Sequence, residues 1–341
     1  MDEIPKWSLI ICTYNAGKRL TDCILNLTKL ELINDSEVLV IDNCSDDGSV
    51  ELLKEYAFEL KFRHFKIFRE INKGLSYARI RGVSEAKGKY LLFIDDDNFP
   101  ENNFLIKATE IFESNNRIGM IGGQSRLPTD TQIKSYFLPF LRGLAVGCPH
   151  EKSGILYGSS YLWGACLAIR KVAFVDFLTH LKNFIFLDRK GNSVLSGGDG
   201  ELVLSTKLLG WDAYYSSDLK FIHMISPSRF NIRYFSRLYK IFGMIAPAFN
   251  VLKNAANELI PSPDKGYRKP SNYSKAIQAI KKKKNDFKNV RARHMLMSLC
   301  LLFYLNGLIF LYKFIGKRRF RDEILMFKKR VFELTDSSKK I

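Results

Sequence analysis

Short apolar runs alternate with helix-spaced apolar positions along the first hundred residues. Trp7 to Thr13 is a strand-forming run broken by Tyr14-Asn15-Ala16-Gly17, after which Leu20, Cys23, Ile24 and Leu27 recur at helical spacing. Val38 to Ile41 predicts a second buried strand ending at Asp42-Asn43. The polar loop Cys44 to Gly48 and a helix through Leu52, Leu53 and Tyr56 follow it. Phe65 to Phe68 predicts a weaker third strand. Beyond Asn72-Lys73-Gly74, a helix carries Leu75, Ala78, Gly82, Val83 and Ala86 on one side, and Lys89 to Ile94 predicts a fourth strand. Strands alternating with helices predict an α/β protein with a parallel sheet under helices. The polar clusters 13–17, 42–48 and 95–98 then lie at strand ends on one edge, where open α/β sheets bind ligands.

The fourth strand runs straight into Asp95, Asp96 and Asp97. Carboxylates crowded at a buried strand end resist ionisation unless a cation or donor groups join them. Oxygen ligands favour a hard divalent ion, Mg²⁺ or Mn²⁺, which commonly bridges to substrate phosphates. The competing expectation is a solvated acidic turn before the helix that follows Pro100, and the convergence of three polar clusters favours the metal.

Net charge changes the picture at the other end of the chain. The formal balance is +18, and basic residues concentrate at Lys281 to Lys284, Arg291, Arg293, Lys317 to Arg319 and Arg321. Such an excess points to nucleic acid, an anionic membrane surface or phosphorylated ligands. No nucleic-acid-binding motif accompanies it, so nucleic acid is not the expected partner. The six cysteines form no Cys-x-x-Cys pair, which predicts reduced thiols and no zinc site. Asp2 and Glu3 precede the first apolar run with no basic leader, so no signal peptide is expected.

Four segments carry a resemblance to a known family: Ser8-Leu-Ile-Ile-Cys-Thr-Tyr-Asn15, Val38-Leu-Val-Ile-Asp-Asn-Cys-Ser-Asp-Asp-Gly48, Asn72-Lys-Gly-Leu-Ser-Tyr-Ala-Arg79 with Gly82, and Phe93-Ile-Asp-Asp-Asp-Asn98. In this order and spacing they resemble the family 2 glycosyltransferases over roughly residues 7 to 225. The resemblance implies a GT-A fold, a Rossmann-like mixed, mainly parallel sheet flanked by helices. It implies that Thr13, Tyr14 and Asn15 cradle a nucleotide base and that Asp42, with Asn43 beside it, accepts a hydrogen bond from a base N–H. Asn72, Lys73 and Gly74 would form the loop beside the nucleotide, and Arg79 would approach the base or diphosphate. Asp95 would lie near the ribose and the metal, Asp97 on the metal, and Asp96 between them.

Further along, Tyr161-Leu-Trp-Gly-Ala-Cys-Leu-Ala-Ile-Arg170 resembles the family's second-half strand. Trp163 and Gly164 are candidates for the wall of the donor-sugar pocket, although Trp163 is equally readable as core. Ser196-Gly-Gly-Asp-Gly-Glu-Leu202 departs from the family at Gly198, where a Glu is usual, while Asp199, Glu201 and Leu202 match. The resemblance makes Asp199 the general base, deprotonating an acceptor hydroxyl as it attacks the anomeric carbon with inversion, and puts Glu201 near the acceptor. The alternative for Asp199 is a helix cap. His223 is a candidate metal ligand, or else a satisfied structural histidine. No Gln-x-x-Arg-Trp segment is present, which favours transfer of a single sugar over polymerisation.

The expected organisation is a catalytic domain over 1–225, its nucleotide-binding half 1–123 and its acceptor half 124–225, then a helical basic region over 226–341. Pro128, Pro139 and Pro149 predict a loop-rich stretch between Gly119 and Tyr161. Arg229 to Phe249 predicts an amphipathic helix, and 254–290 a linker. Residues 295–312 hold no charge and are expected to embed in or lie on a membrane, with a spanning helix and a buried helix as the alternatives. Together these give a metal-dependent glycosyltransferase at the cytoplasmic face of the cell membrane. It would take a nucleoside diphosphate sugar, UDP favoured, and glycosylate a glycan or lipid-linked saccharide. A non-catalytic nucleotide- or glycan-binding module of the same fold is the alternative.

Overall fold

The computed structural model describes residues 4–57, 62, 64–181, 184, 188 and 196–260. In chain order its elements are β1 (Trp7–Thr13), α1 (Lys18–Leu27), β2 (Ser36–Asp42), α2 (Ser49–Ala57), β3 (His64–Arg69), α3 (Leu75–Glu85), β4 (Tyr90–Asp95), β5 (Asn98–Pro100), α4 (Phe104–Ser114) and β6 (Ile118–Arg126). Then come β7 (Gly154–Ile155), β8 (Leu167–Arg170), α5 (Lys171–Leu181), α6 (Gly198–Leu208), β9 (Asp212–His223) and α7 (Ile232–Leu259).

The strands join one sheet in the order β3-β2-β1-β4-β8-β6-β9-β5, with β7 on β9. β3, β2, β1 and β4 are parallel, and β8 turns antiparallel against β4. Register sets Thr13 opposite Asp42 and Cys12 opposite Asp95, so three strand ends deliver their loops to one edge.

Strand alternation sorts the core into two layers. Leu9, Ile11, Val38, Val40, Leu92 and Ile94 face α1 and α4, through Leu20, Ile24, Phe104 and Phe112. Ile10, Leu39, Ile41, Leu91 and Phe93 face the other way, onto Ala78 and Val83 of α3, Phe174 and Phe177 of α5 and Leu202 of α6. Gly82 lets α3 close on β1, because a Cβ there would overlap the Ile10 side chain. Burying both faces of the central strands explains why they read as unbroken apolar runs rather than as alternating ones.

Two expectations need correcting. The stretch after Gly119 is a strand, β6, followed by a 3-10 helix over Ser135–Leu144. Its glycines hid it: a Cβ at Gly119 would meet the Trp211 ring, and one at Gly123 the backbone of Leu219. They are the residues that let β6 lie between its neighbours. The C-terminal helix also runs on to Leu259, into the expected linker, because Leu252 and Ala256 pack against Leu204 and Leu208 of α6. Segment 295–312 and most of the basic tail lie outside the described residues. Among the described residues, no helix is long and apolar enough to cross a membrane.

Candidate active site

The site grows out of the edge where β1, β2 and β4 end. The loop after β1 is stitched to the loop after β2: the Asn15 amide donates to Asp46 Oδ1 at 2.8 Å, and Asp46 N–H donates back to Asn15 Oδ1 at 3.0 Å. Asn15 N–H also donates to Ser45 Oγ, and Asp42 Oδ1 accepts from Ser45 N–H. Asn15 and Cys44 both take left-handed backbone angles, φ 49° and 67°, where the two loops turn. Tyr14 is left 38% exposed at this rim, free to stack on a planar group.

Asn43 is buried and committed to the next loop. Its side chain donates to the carbonyls of Glu70 and Asn72 and accepts from Gly74 N–H at 2.7 Å. Gly74 sits at φ 140°, where a side chain would strain the backbone, and it opens α3. Lys73 is exposed beside it.

The acidic triplet is neither a solvated turn nor a bare cluster. Thr13 Oγ1 and Arg19 Nε both donate to Asp96, at 3.1 and 3.3 Å. Burial raises the Asp96 carboxyl above its usual range, with Arg19 pulling the other way. Asp97 is 5% exposed; Arg229 Nη1 lies 3.3 Å from its Oδ2 and His223 Nε2 lies 3.4 Å from its Oδ1. Pairing of Asn98 with His223 between β5 and β9 brings that histidine to the triplet across 126 residues of chain.

Among the described residues no three carboxylate, imidazole or thiol groups already converge as a metal cage. The donor chemistry does fit a hard divalent ion. His223 Nδ1 is buried with no hydrogen-bond partner, and its ring shares a pocket with the carboxylate of Asp97 two residues from Asp95.

Across the edge, α6 begins at Gly198 and presents Asp199 in its first turn. Arg79 on α3 is 3% exposed, and its Nη1 lies 2.5 Å from Asp199 Oδ1. The guanidinium also stands over the Phe93 ring at 5.7 Å. Burial opposes its charge, but Asp199 and then Asp95 and Asp188 outweigh burial and hold it firmly protonated. Gly164 packs directly on the Asp199 carboxylate, with no room for a Cβ between them. Trp163 is half-buried next to it, and Glu201 is fully buried.

Thus Asp199, Arg79 and Gly164 come together, as do Asp97 and His223, and as do Thr13 and Asp96. Arg79 lies on the candidate base rather than at the rim with Tyr14. Sequence reasoning missed three participants. Arg19 follows the first loop with no motif to mark it, and Arg229 was read only as the start of the amphipathic helix. Asp188 lies ten residues before Gly198, yet its carboxylate accepts from Gly198 N–H and stands 3.9 Å from Arg79.

The model of glycosyl transferase family 2 matches residues 8–177, the span that holds β1 to β8 and the acidic triplet. The chain belongs to this family. The family 2 chain is 38% identical over 100 residues to the cholesterol galactosyltransferase of Borreliella burgdorferi, covering 29% of this chain and 27% of that protein. It is 21% identical over 174 residues to a poly-β-1,6-N-acetyl-D-glucosamine synthase of Staphylococcus epidermidis, covering 51% of this chain and 42% of that one. The matched segments therefore span less than half the length of these relatives. Among solved structures, the mannosyltransferase PcManGT from Pyrobaculum calidifontis in complex with GDP-Man and Mn²⁺ aligns with a TM-score of 0.53 at 14% identity, over 97% of this chain and 81% of that one. At that identity the likeness is one of fold, and it gives the family 2 chain the GT-A architecture.

Proposed function

We propose that this protein transfers a single sugar from a nucleoside diphosphate sugar to the hydroxyl of a glycan or lipid-linked saccharide, with inversion, in the making of cell-envelope polysaccharide. The observation that carries the reading is the placement of Asp199. It stands at the start of α6 against Gly164 and holds Arg79, whose charge also meets that of Asp95 at the end of β4.

In this reading the rim residues Tyr14 and Asn15, with Thr13 and Asp42 behind them, receive the nucleoside, and Lys73 and Gly74 flank its phosphates. UDP is the favoured nucleotide. Asp95, Asp97 and His223 would hold a divalent ion, which supplies positive charge to the leaving diphosphate. Asp199 accepts the proton of the acceptor hydroxyl as that oxygen attacks the anomeric carbon from the face opposite the leaving group. A carboxylate so placed contributes typically ~10²–10⁴-fold. Gly164 and Trp163 bound the sugar, and Glu201 supports the acceptor side from within α6. The division into a nucleotide half, 1–123, an acceptor half, 124–225, and a basic region, 226–341, belongs to the same proposal. So does contact of that basic region with the inner face of the membrane.

The test begins with thermal unfolding of the full chain against UDP, GDP, dTDP and CDP, each with Mn²⁺ or chelator. A ligand at ~100 times its dissociation constant stabilises by roughly 2.7 kcal/mol. The nucleotide that stabilises then selects the sugar nucleotides for a release assay with lipid-linked and free saccharide acceptors. Asp199→Asn should abolish release while keeping the nucleotide shift. No shift with any nucleotide, or full release by Asp199→Asn, would sink the reading.

A further inference from the structure

A guanidinium on one oxygen lowers the basicity of a carboxylate that must receive a proton. In this structure the Asp199 carboxylate is held by Arg79, a guanidinium 3% exposed and fixed between α3 and the Phe93 ring. For Asp199 to gain basicity toward an acceptor hydroxyl, it must loosen its hold on Arg79. That takes from a buried cation its nearest partner, a costly change in a protein interior.

A second carboxylate stands where it could take over. Asp188 is 3% exposed, and its Oδ2 lies 3.9 Å from the same Nη1 atom that Asp199 holds. It is anchored on both sides of the cleft. From α6, Gly198 N–H donates to both its oxygens, at 3.0 and 3.1 Å. From α3, Leu75 N–H donates to its backbone carbonyl at 2.9 Å, and Ser76 Oγ lies 3.3 Å from its backbone nitrogen. The carbonyl also lies against Gly74, in the loop that opens α3. One residue thus ties the nucleotide-side helix to the helix carrying the base, with its charge beside the cation the two carboxylates share. A carboxylate at the start of α6 also faces the positive end of that helix, an arrangement that favours its position.

We propose that Asp188 is a positioning residue that exchanges Arg79 with Asp199: it takes the guanidinium when Asp199 engages the acceptor, so the buried charge stays balanced throughout turnover. The exchange rests on the reading of Asp199 as base. The sharing of Arg79 does not, and the two are tested separately.

The first arm needs no substrate. Thermal unfolding is compared for the full chain, Asp188→Asn, Asp199→Asn and the double variant. Asparagine at 188 keeps one acceptor oxygen for Gly198 N–H while removing the charge and the second acceptor. If either carboxylate alone can hold Arg79, each single variant folds with a small loss in Tm. The double variant then falls by about 5 °C or more beyond the sum, because Asp95 alone is left of the three acids that hold the shared cation. Additive losses, or an Asp188→Asn chain that does not fold while Asp199 is intact, overturn the sharing.

The second arm uses the nucleotide-release assay with the donor found above. Asp188→Asn is expected to lower kcat at least tenfold while leaving the UDP thermal shift and the donor KM within about twofold, and Asp188→Glu to recover most of the kcat. An unchanged kcat in Asp188→Asn, or a Glu variant as slow as Asn, overturns the exchange. If wild-type chain releases no nucleotide from any donor, the glycosyltransferase reading fails, and the first arm still decides whether Arg79 is shared.

Discussion

Replacing Gly164 with alanine perturbs the site at its tightest point. The Cβ would occupy the space of the Asp199 carboxylate, meeting its carbon and both oxygens. Something must shift. Gly164 lies in the buried segment leading into β8, and its neighbours Ala165 and Cys166 are buried, with Cys166 at φ 49°. The backbone there has little freedom. Asp199 is the softer partner: its side chain is 36% exposed, so it can rotate away from α6 into the cleft. The alanine should therefore cost little stability, near the low end of the ~1–3 kcal/mol usual for overpacking. The price in function is larger, because rotation takes the carboxylate off both Gly164 and Arg79. A misplacement of ~1 Å of a catalytic group can cost ~10²-fold in rate. We expect nucleotide release to fall about a hundredfold and Tm to fall by only a few degrees. The thermal shift with UDP should be unchanged, since Tyr14, Asn15 and Asp42 lie in other loops. The assay is initial-rate nucleotide release beside thermal unfolding of the same preparations. Wild-type turnover in Gly164→Ala, with the fold intact, would refute the claim that Asp199 works from this position.

Other consequences are independent of that contact. Arg170 donates to the carbonyls of Ile118 and Asn115, at 2.7 and 3.3 Å, and to that of Phe112, closing the end of α4 from inside the core. Arg170→Met leaves those carbonyls unanswered and should lower unfolding stability by ~3 kcal/mol or more, read by urea denaturation. Lys207 donates to the carbonyls of Gly158 and Ser160, and burial pushes its ammonium down to about 7 against the pull of Asp212. The unfolded chain then binds the proton more tightly than the folded one between pH ~7 and ~10.5, so this group makes stability rise with pH across that window. Lys207→Met should flatten the Tm-against-pH curve there, and an unchanged slope would contradict it. Deleting 291–341 should release the protein from membranes, and a truncated chain that still pellets with them would rule that segment out as the anchor.

Much of this was legible because the central strands are buried on both faces. Continuous apolar runs at Leu9 to Ile11, Val38 to Ile41 and Leu91 to Ile94 need no tertiary knowledge to be seen as strands, and the polar clusters after them follow the rule for open sheets. Where local pattern and packing disagree, the sequence misled. β6 carries Gly119, Gly122 and Gly123, which weaken a strand signal yet are required by Trp211, Leu162 and Leu219 pressing on it. The end of α7 is polar enough to resemble a linker, but Leu252 and Ala256 recur one turn apart to cover Leu204 and Leu208. The site's cations were the hardest to read. Arg19, Arg79 and Arg229 meet acids 77, 120 and 132 residues away, and no spacing rule reaches that far.

Those three arginines give the resting site its electrostatic logic. Asp96 faces Arg19, Asp97 faces Arg229 and Asp199 faces Arg79, each pair at 3.3 Å or closer. Burial pushes the Asp96 carboxyl up, and Arg19 draws it back. A guanidinium stays charged at any working pH, so each of the three acids keeps a countercharge that no change of pH withdraws. Of the three arginines, Arg19 is the most open, its side chain 42% exposed against 24% for Arg229 and 3% for Arg79, so the cation that holds the candidate base is the one shut away from solvent.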